Sequence, residues 1–139
     1  MYADSRFYTN QPFTYAARTI ESSIGNYEYP PAAQALKKLL DLPNPPTAIF
    51  VTNNQMTLGA IHTISECVLN CPEDISLISF DDHEWAPFHS PPLTVIRQPT
   101  YKQGQMAAQL LIKLIKKEES APPTLLPVEL IGRGSELRR

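Results

Sequence analysis

The chain has 139 residues, 42% hydrophobic and 19% charged, with a formal net charge of −2 and a sequence pI near 5.9. That length and composition suit one domain with a packed core and exclude a disordered chain. No Lys/Arg block interleaves with aromatics, and no apolar run nears the roughly 18 residues that span a bilayer, so neither a phosphate-backbone surface nor a membrane partner is indicated. The amino-terminal region lacks the basic-then-apolar order of a signal peptide, and a cytoplasmic protein is expected. Cys67 and Cys71 are too few for a disulfide framework and have no second Cys or His pair at zinc-site spacing, which predicts two small buried thiols and no metal or cofactor. The 14 prolines fall at segment edges, where they punctuate the chain.

In chain order, residues 1–24 have weak periodicity, and only a strand near Ala17 to Ser22 can be drawn there. Pro30-Pro31 then starts a helix whose apolar stripe is Ala32, Ala35, Leu36, Leu39 and Leu40. After PNPP, the short run Thr47 to Val51 reads as a parallel strand covered on both faces. Gln55 to Leu69 reads as a helix carrying Met56, Leu58, Ala60, Ile61, Ile64, Val68 and Leu69, a stripe wide enough to bury two sides. Ile75 to Phe80 is the next strand, ending at Asp81-Asp82. The proline-rich loop HEWAPFHSPP leads to LTVIRQ, and Tyr101 to Lys117 repeats a helical stripe through Met106, Ala107, Leu110, Leu111, Leu114 and Ile115. Thr124 to Ile131 reads as a last strand before the polar end GRGSELRR.

Strands alternating with helices of a dozen or more residues predict an α/β fold with a mostly parallel open sheet and flanking helices. In such sheets ligands bind in the crevice outside the carboxyl ends of the strands. Asn53, Asn54, Asp81 and Asp82 all fall at such ends, so each strand closes on a polar doublet.

Four blocks in order carry a specific resemblance. PPTAIFVTNNQMTLGAIHTISE, CPEDISLISFDD, SPPLTVIRQPTYKQGQMAAQLLIKLI and LLPVELIGRGS resemble the closing part of the effector-binding domain of LacI/GalR transcription regulators, over roughly Gly25 to Ser135. The resemblance implies one lobe, with crossing segments, of a periplasmic-binding-protein-like fold. Residues 25–97 would be the second-lobe sensor domain and 98–139 a crossover helix and strand with a polar tail. It also implies a small-molecule effector, a sugar or nucleoside-like compound, and operator DNA contacted only through a helix-turn-helix that these residues do not include.

By the same resemblance, Asn53 and Asp81 match effector-binding positions, Gln98 a polar residue at the lobe crossing, and Tyr27 an aromatic that lies against the effector. Carboxylate, amide and aromatic face together suit a polar ligand, since a buried hydroxyl without a partner costs roughly 1–3 kcal/mol. Members usually carry Asp where this chain has Asn54, and a family arginine upstream has no counterpart beyond Arg6. The family's homodimer forms partly through the helix that here is Gln55 to Glu66 and the loop that here is His83 to Ser90, which points to Gln55, Leu58, His62, Trp85, Phe88 and His89.

Other readings stand beside these. Either asparagine can cap the helix at Gln55. Asp81-Asp82 can be solvated turn formers, Tyr27 a core aromatic, Gln98 a backbone partner, and His62 with Glu66 a surface pair. Asp81, Asp82 and Glu84 with a histidine can be read as an enzyme's acid and base, but no nucleophile elbow, phosphate loop or metal motif accompanies them. A dimerisation module that has lost its effector is the remaining alternative. In the resembled fold, the stripe of the helix from Tyr101 packs on elements outside this chain, so that helix is expected to dimerise, swap or dock onto its own sheet.

Overall fold

The structure, a computed structural model, describes residues 28–118 and 124–137. Tyr27, Arg6 and the strand drawn at Ala17 to Ser22 lie outside them. Three helices and four strands follow in the order α1 (Tyr29–Leu40), β1 (Ala48–Val51), α2 (Asn54–Glu66), β2 (Ser76–Phe80), β3 (Thr94–Arg97), α3 (Thr100–Ile115) and β4 (Glu129–Ile131). The sheet runs β1-β2-β3-β4; the first three strands are parallel and β4 is antiparallel to β3. This is the mostly parallel α/β sheet expected from the alternation of elements, closed by an antiparallel edge strand.

Apolar spacing explains the helices. Ala32, Ala35 and Leu36 fall on one face of α1 and are buried, with Pro30 and Pro31 in the first turn. α2 lies between α1 and the sheet. Ala60 and Ile64 join the core of Val51, Ile75, Leu77, Leu93 and Val95, while Gly59 and Thr63 meet α1. A Cβ at Gly59 would come within 2.6 Å of the Tyr29 carbonyl oxygen, so the helices approach too closely for any side chain there. Thr63, fully buried, hydrogen-bonds the carbonyls of Gly59 and Ala33. The width of the α2 stripe is thus largely used within the chain, on the sheet and on α1.

Four expectations are corrected. β1 is an edge strand whose Phe50 is 53% exposed, not a strand covered on both faces, because α1 and α2 pack on the same side of the sheet. The last strand shortens to three residues beside β3. Cys67 is exposed and Cys71 half-buried, where two buried thiols were expected; burial pushes the Cys71 thiol up, leaving Cys67 the more accessible. Helix α2 stops at Glu66 rather than Leu69, and Val68 is 86% exposed instead of joining the stripe.

That early stop is a Schellman turn. Leu69 N–H reaches the Ile64 carbonyl and Val68 N–H the Ser65 carbonyl, with Val68 at φ 55° in the left-handed position glycine usually takes. A β-branched residue there costs about 1–2 kcal/mol in backbone strain. Val68→Gly removes the strain while losing little packing, and the expected outcome is a higher melting temperature with unchanged far-UV circular dichroism. Thermal unfolding of the two proteins checks it.

Candidate functional site

Parallel strands bring their carboxyl ends to one edge. Val51 pairs with Ser79, and Asn53 and Asp81 each follow that pair by two residues. Phe80 pairs with Ile96, and Gln98 follows two residues beyond Ile96. Asn53, Asp81 and Gln98 therefore share the edge where ligands enter open sheets of this kind.

Each residue is held by a different device. Asn53 caps α2, its Oδ1 accepting the Met56 N–H at 2.8 Å. Asn54 is the other half of the doublet, and its Oδ1 accepts the Trp85 indole N–H at 3.2 Å. The capping reading thus falls on Asn53, the residue also matched to effector binding. Below them the buried Thr57 and Ser79 hydroxyls meet at 2.7 Å, joining α2 to β2.

Asp81 turns sharply out of β2 at φ 76°, its N–H donating to the Ile96 carbonyl at 2.9 Å. Gln98 Nε2 donates to Asp81 Oδ1 at 2.6 Å. Gln98 therefore pairs with a side chain, not with backbone. An open depression of about 320 Å³ adjoins it, lined by Arg97, Gln98, Pro99, Pro127, Val128 and Glu129.

Asp82 has a different task. Arg133 Nη2 donates to both its oxygens, at 2.7 and 2.9 Å, and Arg97 Nη1 lies 3.5 Å away and pairs with Glu129 as well. With its side chain 11% exposed, Asp82 is held in place by its arginine partners. Of the three carboxylates in the enzyme reading, Asp82 is paired with arginine, Asp81 accepts from Gln98 through one oxygen, and Glu84 is exposed. His62 lies 3.7 Å from Glu66, which also pairs with Lys37 at 2.8 Å, a surface charge group. Among the described residues, no three His, Cys, Asp or Glu side chains gather as for a metal, and no helix is long and apolar enough to cross a membrane.

The residues matched to a dimer contact lie on α2 and on the loop between β2 and β3, which one hydrogen bond joins. The Asn54 to Trp85 bond ties the first turn of α2 to the loop that carries Phe88, which is 87% exposed on a single 3-10 turn, Ala86–Phe88. Gln55 and His62 are exposed, while Leu58, Trp85 and His89 are half-buried. His89 Nδ1 bonds the Pro91 carbonyl at 2.7 Å, and the His83 ring stacks on Trp85.

Residues 3–136 match the family described as periplasmic binding protein-like domain. The chain belongs to the LacI/GalR effector-binding domains of this family. It is 41% identical over 114 residues to a probable opine utilization operon repressor of Rhizobium rhizogenes, covering 81% of this chain and 58% of that protein. Among solved structures, a LacI-type putative transcriptional regulator from Bacillus cereus subsp. cytotoxis matches with a TM-score of 0.72 at 30% identity, over 78% of this chain and 39% of that one. A dimeric Lac repressor with a C-terminal deletion matches at 0.69 and 34%, over 79% and 41%. The chain spans from 33% to 58% of the length of the first curated relatives it matches.

Within this LacI/GalR frame, sequence reasoning missed the tail. Ser135, fully buried, donates to the Leu77 carbonyl at 2.6 Å and accepts the Thr94 N–H at 2.8 Å, while its own carbonyl takes the Leu77 N–H at 2.7 Å. Thr94 also bonds Glu136, and Arg133 reaches the Leu93 carbonyl. The available signal was the second aspartate of the doublet, a carboxylate beside a strand end that calls for a cation.

Removing that cation tests the account. Arg133→Met leaves Asp82 with the weaker Arg97 contact and is expected to lower stability by about 2 kcal/mol. Asp82→Asn combined with Arg133→Met is expected to recover part of the loss, as urea unfolding of the set would report.

Proposed function

We propose that this chain is the sensing and dimerising portion of a LacI/GalR-type transcription regulator, with a small polar effector held at the carboxyl ends of β1, β2 and β3. Asp81 accepts from ligand hydroxyl or amine groups, Gln98 and Asn53 supply amide contacts, and Tyr27 supplies the aromatic face. The observation that carries this reading is Asp81, turned out of the sheet and oriented by Gln98 beside the capping Asn53. Asp82, by contrast, is spent on Arg133. The protein acts in the cytoplasm without cofactor or catalysis, and operator DNA is met through a helix-turn-helix outside these residues.

Calorimetric titration of glucose, galactose, ribose, adenosine and cytidine into the intact product carrying these residues tests the reading. Saturable binding is expected for at least one compound. Asp81→Ala should weaken it about 10- to 100-fold, as loss of a charge-assisted hydrogen bond does. A native product that dimerises but binds nothing related to these compounds would favour the ligand-free dimerisation module.

The same chain pairs with a second copy through Gln55, Leu58 and His62 on α2 and Trp85, Phe88 and His89 in the loop, a self-complementary two-fold contact. An exposed Phe88 beside a loop pinned to α2 supports it, as does the dimeric Lac repressor among the matching structures. Sedimentation should show a dimer, with Leu58→Asp plus Phe88→Asp shifting it to monomer. An unaltered dimer in that variant would place the contact elsewhere.

A further inference from the structure

We infer that Gln103, in the first turn of α3, is a positioning residue for the effector site. Through Gln98 it sets how Asp81 is presented, so the site selects a ligand offering a hydrogen-bond donor beside an acceptor. The inference rests on the effector-binding reading and adds to it a selectivity rule and the residue that enforces it.

Charge at one end fixes the direction of the chain of bonds. An ionised carboxylate accepts only, so Gln98 must turn its NH2 group to Asp81. The Gln98 carbonyl then faces away and requires a donor, which Gln103 provides through Nε2 at 3.0 Å. The reverse orientation of either amide would set oxygen against oxygen. Each glutamine is half-buried, and the main chain of Gln103 is held in the first turn of α3 by its backbone N–H bond to the Pro99 carbonyl at 2.9 Å. Helix α3 buries no residue, so Gln103 is not held there by core packing.

The groups left over define the ligand. Asp81 Oδ1 is taken by Gln98; among the described residues, Asp81 Oδ2 and the second N–H of Gln98 Nε2 have no hydrogen-bond partner. One acceptor thus stands beside one donor. A pair of neighbouring hydroxyls, or the amide edge of a base, matches both; a compound with two donors and no acceptor matches one and is set against the other. Sugars and nucleosides share this chemistry, and the titration panel separates them.

Three substitutions at a position away from the core distinguish a relay from space filling. Gln103→Lys keeps a donor, Gln103→Leu removes it, and Gln103→Glu inverts it, so that both carboxylates demand the same NH2 group. For the compound of the panel that binds native protein, Gln103→Lys should stay within about twofold, Gln103→Leu should weaken binding about three- to tenfold, and Gln103→Glu should weaken it more than tenfold. Equal losses for Gln103→Leu and Gln103→Glu, or no loss in either, would overturn the relay.

A ligand-free readout separates this idea from the effector reading. The Gln98 side-chain NH2 resonances, assigned by their disappearance in Gln98→Ala, should show slowed solvent exchange and should shift in both Asp81→Asn and Gln103→Leu. Resonances that ignore Gln103→Leu would sink the relay even if a sugar binds. Resonances that respond as expected while nothing in the panel binds would support the relay and count against the effector reading alone.

Discussion

The seat of the carboxyl-terminal tail on β2 and β3 is the contact on which the rest of the architecture depends. Parallel strands joined by long crossovers have no hairpin to hold them in register, so something must fasten them at their ends. Ser135 does this at full burial, with its hydroxyl and carbonyl bonded to Leu77 and its hydroxyl also to Thr94. A hydroxyl there satisfies backbone groups that would otherwise be buried unpaired, each a loss of about 1–3 kcal/mol. Because β3 is fixed against β2 in this way, Gln98 arrives beside Asp81 and the candidate site exists at all.

The same tail divides labour within the aspartate doublet. Two adjacent carboxylates at a strand end repel each other, and the structure resolves this by giving one its own cation. Arg133 is carried to Asp82 by the chain just after β4, with Arg97 from β3 completing the group. Asp81 is left facing a neutral amide, a partner that orients a carboxylate without cancelling its charge. The asparagine doublet is divided in parallel fashion, one member capping α2 and the other holding Trp85. In each pair one residue secures the scaffold through a long-range contact.

Much of the fold was legible because it is periodic. The stripe Ala32, Ala35, Leu36 and the run Ala48–Val51 state their elements without reference to anything distant. The edge position of β1 was not legible, since an apolar strand reads the same whether one face or two are covered. The end of α2 was missed because Val68 occupies a left-handed position that sequence signals assign to glycine. Asp81 and Gln98 could be placed at one edge from topology, but their hydrogen bond spans 17 positions and the Arg133 to Asp82 pair spans 51. Such pairings depend on register, which composition and spacing leave open.

The side of the sheet away from α1 and α2 is apolar along several strands. Ile78 pairs with Thr94 and Phe50 with Ile78, so Phe50, Ile78, Phe80, Ile96 and Leu130 alternate onto one face. Phe50 and Leu130 on it are more than half exposed, as are Leu111, Ile112, Leu114 and Ile115 of α3. Among the described residues α3 buries no side chain, so of the three outcomes expected for its apolar stripe, docking on the chain's own sheet is the one not found. A helix left without apolar anchorage depends on its polar attachments, and Gln103 provides one at its first turn. What fixes the start of α3 is therefore the same set of amides that orients Asp81, so a change at the strand ends has a short covalent and hydrogen-bonded path to the most weakly anchored helix.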